Sequence, residues 1–176
     1  MINSNADDFV DFAPNPSFGA HRIPHRSTLS RECIAMMSEW VNTCKATHEL
    51  CRIDHSPWLP SRLLEVGQDG NVIRLVETRS YDVRGPYAAL SHMWGDMSRE
   101  PPLRTLVSNY EDMKAGIAST NLPRNFQDAM TTAHFLGIQY VWIDSLCIIQ
   151  DLSSDWEKEA ATMHQVYKYA HLTIVA

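Results

Sequence analysis

The sequence predicts an α/β fold: an open, mostly parallel sheet flanked by helices, with an N-terminal helix and a β-hairpin ahead of it. Three observations carry that expectation. The run "IQYVWI" (138–143) is continuously apolar, as strands covered on both faces of a parallel sheet are. Amphipathic helical patterns lie on both sides of it. "HLTIVA" (171–176) then reads as another strand, so strands and helices alternate through the second half of the chain.

Taken in order, residues 1–28 are polar and proline-bearing without periodicity and read as a flexible arm. Ser30 is placed to cap a helix whose face carries Cys33, Met37, Trp40, Cys44, His48 and Cys51 at three- and four-residue steps. "SRLLEVGQDGNVIRLVET" reads as a hairpin turning at Asp69-Gly70. A short strand, Tyr87 to Ser91, runs into a loop holding Trp94, Gly95 and Asp96. Ser108 with Glu111 has capping-box spacing before a short helix. Pro123 suits a first helical turn, Phe126, Ala129, Met130, Ala133 and Leu136 share one face, and Gly137 ends the helix. Ser154 with Glu157 forms a second capping box, and Trp156, Ala160, Met163, Tyr167 and Ala170 are expected to point inward. A central strand at the last residue, Ala176, leads us to expect a domain that continues past it.

The chain has 176 residues, enough for one core. Its net charge of -6, with no basic run, argues against nucleic acid or anionic membrane as a nonspecific partner. The first residues lack a basic leader and an apolar stretch, and no apolar run approaches the roughly 20 residues of a membrane helix. Four irregularly spaced cysteines then fit reduced thiols in the cytoplasm or nucleus.

Several constellations invite chemistry. Cys44, His48 and Cys51 have the residue types of a zinc site, but on a straight helix the outer two alpha carbons lie about 10.5 Å apart. Joint ligation would need the helix to end near Glu49 and a fourth ligand from elsewhere. A packing face is the preferred reading, and no metal is assigned. Cys147 follows the buried strand and His92 follows the other, so a thiol–base pair is conceivable, although buried cysteine is common. Ligands of open α/β sheets bind at the carboxyl ends of strands, where Asp144 stands, with Asp96 just past another end. Either acid could equally cap a turn. Glu159 is a first-turn acid on the flank of the inward face, about 60° from Trp156; the plainer alternative is a surface acid favoured by the helix dipole. Trp94, Trp142 and Trp156 could stack on a planar ligand, with Trp142 better explained as core.

"YAALSHMWGD", "LPRNFQDAM…LGIQYVWIDSLCIIQD" and "DWEKEAATMHQVYKYAHLTIVA" resemble, in order, the motifs of the heterokaryon-incompatibility (HET) domain of filamentous fungi. "WVNTCKATHELC" and the hairpin resemble the lead-in to that domain, which divides the chain into an arm (1–28), a lead-in (29–84) and a HET core (85–176). His92 departs from the family, which more often has an aromatic residue there. The resemblance implies fungal non-self recognition leading to programmed cell death. It also implies distant kinship with Toll/interleukin-1 receptor (TIR) domains, some of which cleave NAD through a glutamate, and hence a TIR-like sheet. "SSDWEKE" is similar to the segment that carries that glutamate and puts Glu159 in its place. Ser91, Trp94, Gly95, Asp96, Asp144, Cys147 and Trp156 would then line the substrate site. A second threading makes the 156–170 helix an earlier TIR helix, with the acid past Ala176. NAD enters as substrate and no cofactor is implied. The rival is a non-enzymatic domain that self-associates and recruits an incompatibility partner.

Overall fold

The computed structural model describes residues 27–51, 58–67, 70–83, 85–95 and 103–176. Helix α1 (Arg31–Thr47) starts where Ser30 accepts the Cys33 N–H at 3.2 Å. The hairpin strands β1 (Arg62–Val66) and β2 (Val72–Glu77) follow, then β3 (Tyr87–Ser91). After a 3-10 turn come α2 (Tyr110–Ala115), β4 (Ile117–Ala118) and α3 (Arg124–Phe135). The chain continues through β5 (Tyr140–Trp142), the one-turn helix α4 (Asp144–Cys147), α5 (Ser153–Tyr169) and β6 (Leu172–Val175).

The strands form one open mixed sheet in the order β4-β2-β1-β5-β3-β6. Strand β3 pairs parallel with β5 and β6, whereas β1 pairs antiparallel with β2 and β5, and β2 with β4. The expected mostly parallel sheet is therefore only half right. Hairpin strands reverse direction by construction, and β1 inserts the hairpin directly beside β5. That insertion matters for the site. Leu64 is opposite Val141, so Arg62 comes level with Ile143, at the edge where β3 and β5 end.

Helix α3 buries Phe126, Ala129, Met130 and Ala133, the stripe that its sequence spacing predicts. Gly137 closes it with φ 74°, and the N–H groups of Gly137 and Ile138 donate back to His134 and Ala133, a Schellman ending. Helix α5 covers the face that carries Tyr87 and Trp142. The Tyr87 hydroxyl donates to the Val166 carbonyl at 2.6 Å, and the Trp142 and Tyr167 rings meet edge-on at 5.9 Å.

Four expectations need correction. The buried face of α5 is centred on Glu159 and Val166, and Trp156, expected inward, is 51% exposed. Ser154 lies inside α5 and caps nothing with Glu157; Leu152 precedes the helix without a side-chain cap. Asp155, in the first turn, instead bends back to accept the Ile149 N–H at 2.8 Å. Ser108 lies in the 3-10 turn, where Asn109 and Asp151 accept the Leu106 and Val107 N–H groups. Finally, α1 has no buried residue, so its supposed packing face is not buried among the described residues. Asp69 of the predicted hairpin turn lies outside the described residues, while Gly70 adopts φ 70° as such a turn requires.

Burial raises the Tyr87 phenol above its ordinary pKa. A raised folded-state pKa stabilises below the unfolded value, near pH 10, and that contribution is lost as pH rises through it. Tyr87→Phe should lower stability by about 1 kcal/mol at neutral pH through the lost hydrogen bond, and should flatten the alkaline fall in stability seen in urea titrations at several pH values.

Candidate functional site

Two polar clusters occupy the edge where β3 and β5 end. The first is built on Asp144. Its Oδ2 accepts the Trp94 indole N–H at 2.7 Å, and its Oδ1 accepts the Ser145 backbone N–H at 2.7 Å. His92 Nδ1 stands 3.7 Å from the same Oδ1, on a side chain only 3% exposed, and makes no hydrogen bond among the described residues. The His92 ring meets Phe126 of α3 edge-on, centroids 4.8 Å apart. Tyr167 closes the α5 side, its hydroxyl 3.5 Å from the Leu90 carbonyl, and burial, then the Asp144 carboxylate, raise its phenol pKa. Asp144 keeps 21% of its side chain in solvent. The result is a carboxylate with a fixed indole beside it, open enough to meet a ligand hydroxyl or cation.

The second cluster is built on Arg62. Its guanidinium pairs with Asp155 at 2.5 Å, lies 3.8 Å from Glu159 Oε1, and donates through Nε to the Cys147 carbonyl at 2.7 Å. Burial works against the Arg62 charge, but Asp155, with Glu159 behind it, more than offsets this, so the pKa ends above its ordinary value. Glu159 is 3% exposed; Lys158 Nζ approaches its Oε1 at 3.4 Å, yet that oxygen has no hydrogen-bond partner. This is a largely buried ion cluster of two acids and two bases, of which only Lys158 reaches well into solvent.

The sequence-predicted residues divide between these clusters. Ser91, Trp94 and Asp144 come together in the first, with Gly95 (φ 79°) directly after the indole. Asp96 lies outside the described residues. Glu159 belongs to the second cluster, and Trp156 lies on the exposed side of α5. Cys147 lies between the two clusters but offers its backbone carbonyl. Its thiol is 1% exposed, and burial pushes its pKa up to about 12, so it is no nucleophile at neutral pH. Arg62 and Asp155 escaped the sequence reading. Only a lone arginine opening an apolar strand hinted at the first, and its acidic partners lie some ninety residues away.

The chain is a small α/β domain whose polar residues gather at the carboxyl edge of its parallel strands, the edge at which open α/β sheets generally bind ligands. The family model "Heterokaryon incompatibility protein (HET)" matches residues 87–176, just over half the chain, and the chain belongs to that family. No curated protein and no solved structure matches it. No described helix is long and apolar enough to cross a membrane.

Arg62→Leu would strip the largely buried Asp155 of its counter-charge and leave Glu159 only the exposed Lys158, so urea denaturation should show a loss of about 3–5 kcal/mol. Glu159→Gln removes a carboxylate whose Oε1 makes no hydrogen bond among the described residues and leaves Arg62 its closer partner Asp155, so it should cost far less. Mapping of thiol-labelled peptides by mass spectrometry should find Cys147 unmodified at neutral pH until the chain is unfolded.

Proposed function

We propose that this chain acts in heterokaryon incompatibility in filamentous fungi as a cytoplasmic signalling module that self-associates and triggers programmed cell death after incompatible fusion. Family membership supports the incompatibility role. The position of Glu159 carries the choice of mechanism: it is buried against Arg62 and Lys158, and Trp94 pairs with Asp144 instead. In this reading Glu159 and Arg62 hold the fold. The edge around Trp94 and Asp144 meets a second copy or an incompatibility partner.

One observation favours a second reading, NAD cleavage of the TIR type. Glu159 Oε1 is buried without a hydrogen-bond partner, as a carboxylate reserved for substrate would be. In that case Glu159 would engage the ribose or stabilise an oxocarbenium-like centre, and Asp144 with Trp94 would shape the pocket.

Expression in fungal cells beside assays of the purified protein separates the two. For the signalling module, cell killing survives Glu159→Gln, no nicotinamide is released from NAD, and light scattering shows a concentration-dependent oligomer. Nicotinamide release that Glu159→Gln abolishes, together with loss of killing, would replace it with the enzyme. Failure of the unaltered chain to kill incompatible fusions would overturn both.

A further inference from the structure

Helix α1 stops at Thr47 where nothing in its sequence compels it to. The residues around the stop, Lys45-Ala46-Thr47-His48-Glu49-Leu50, contain no glycine or proline, and Lys, Ala, Glu and Leu are good helix formers. The chain nevertheless leaves the helix at His48 (φ -103°, ψ 118°) and makes a 3-10 turn over Glu49–Cys51. A continued helix would hold Cys51 about 10.5 Å along the axis from Cys44. The turn instead folds it back, so that one ligand atom from each of Cys44, His48 and Cys51 lies within 4.8 Å of the others. Cys44 Sγ is 3.3 Å from His48 Nδ1.

These separations suit a metal. Around a tetrahedral zinc, sulfur and imidazole nitrogen are roughly 3.6 Å apart and two sulfurs roughly 3.8 Å apart, given bonds of about 2.3 and 2.0 Å. Two thiols and an imidazole also form the donor set that selects zinc over magnesium or calcium, which take oxygen ligands. Packing does not account for the spacing among the described residues, where α1 buries no side chain fully and leaves Cys44 only half-buried.

We propose that Cys44, His48 and Cys51 bind a zinc ion that fastens the end of α1 to the turn after it, with the fourth tetrahedral position open to water. Binding displaces the two thiol protons to solvent and leaves Zn²⁺ balanced by two thiolates. The ion adds a fastening that α1 does not receive from the buried core of the described residues. The site stands apart from the Asp144 and Arg62 clusters and owes nothing to the reading of their function.

The test is metal content. The chain is purified under reducing conditions from zinc-supplemented cells, dialysed and analysed for metal. About one zinc per chain is expected, falling at least severalfold in Cys44→Ser and in Cys51→Ser but unchanged in Cys33→Ser, a cysteine of the same helix outside the trio. Cobalt in place of zinc should give a thiolate-to-metal charge-transfer band and the intense visible bands of a tetrahedral ion. Near-ultraviolet circular dichroism should be the same for all three variants, since the core does not include α1. A chain with no zinc, equal zinc in Cys44→Ser, or a pale octahedral cobalt spectrum would each overturn the proposal.

Discussion

The Arg62 guanidinium leaves water at the first residue of β1, and the turn between β5 and α5 is arranged around it. Burying a lone cation is costly unless charge and hydrogen bonds meet it. Here Asp155 takes one nitrogen at 2.5 Å, the Cys147 carbonyl takes Nε at 2.7 Å, and Glu159 stands 3.8 Å away. Asp155 spends the same oxygen on the Ile149 N–H. One interaction thus joins the hairpin, the one-turn helix and the start of α5. The register of β1 on β5 follows, because a slip of one residue would turn Arg62 away from this turn and expose Leu63 or Leu64 in its place.

The same register explains why the polar residues collect at one edge. An antiparallel β1 brings its first residue to the level where parallel β5 and β3 bring their last. Arg62, Asp144 and Ser91–His92 are therefore neighbours across three adjacent strands, although they come from separate parts of the sequence. A wholly parallel sheet would have sent the β1 start to the opposite edge. The mixed topology is what builds the site.

Much of this was legible from local pattern. Tyr87–Ser91 was readable as a strand, the α3 stripe as a face and Gly137 as a stop, because each depends on residues a few positions apart. Asp144 was readable as a site candidate from its place after an apolar run. What failed depended on distant partners. A hydrophobic-pattern reading turns Trp156 inward and leaves Glu159 on the flank of the packed face; Arg62, about a hundred residues earlier, makes a buried carboxylate tolerable, and the buried face centres on Glu159 while Trp156 stays exposed. The Ser154–Glu157 box has the right spacing, but Asp155 is drawn back to Ile149 and the helix starts at Ser153. Strand β4 has two residues, too few for any periodicity. The Cys44–Cys51 spacing looked helical because it holds no glycine or proline and includes the helix formers Lys45, Ala46, Glu49 and Leu50.

The turn from Asp144 to Asp155 is held by hydrogen-bond donors that arrive from both sides, most of them side chains. Thr105, fully buried, donates its N–H to the Ser145 carbonyl and its hydroxyl to the Leu146 carbonyl. Arg62 takes the Cys147 carbonyl, and Gln150 donates to the carbonyls of Asp144 and Ile148. The carbonyls of Asp144, Leu146, Cys147 and Ile148 are therefore met by side chains and that of Ser145 by a backbone N–H, as a buried irregular segment requires. The Asp144 carboxylate is the first side chain of that turn and Cys147 the last of α4, so the Trp94–His92 cluster and the Arg62–Glu159 cluster share one rigid backbone support. A force on the Asp144 carboxylate, from a ligand or from a second copy, acts on a segment whose other end is anchored by Arg62. That shared support, more than any direct contact between Asp144 and Glu159, is what joins the two halves of the edge.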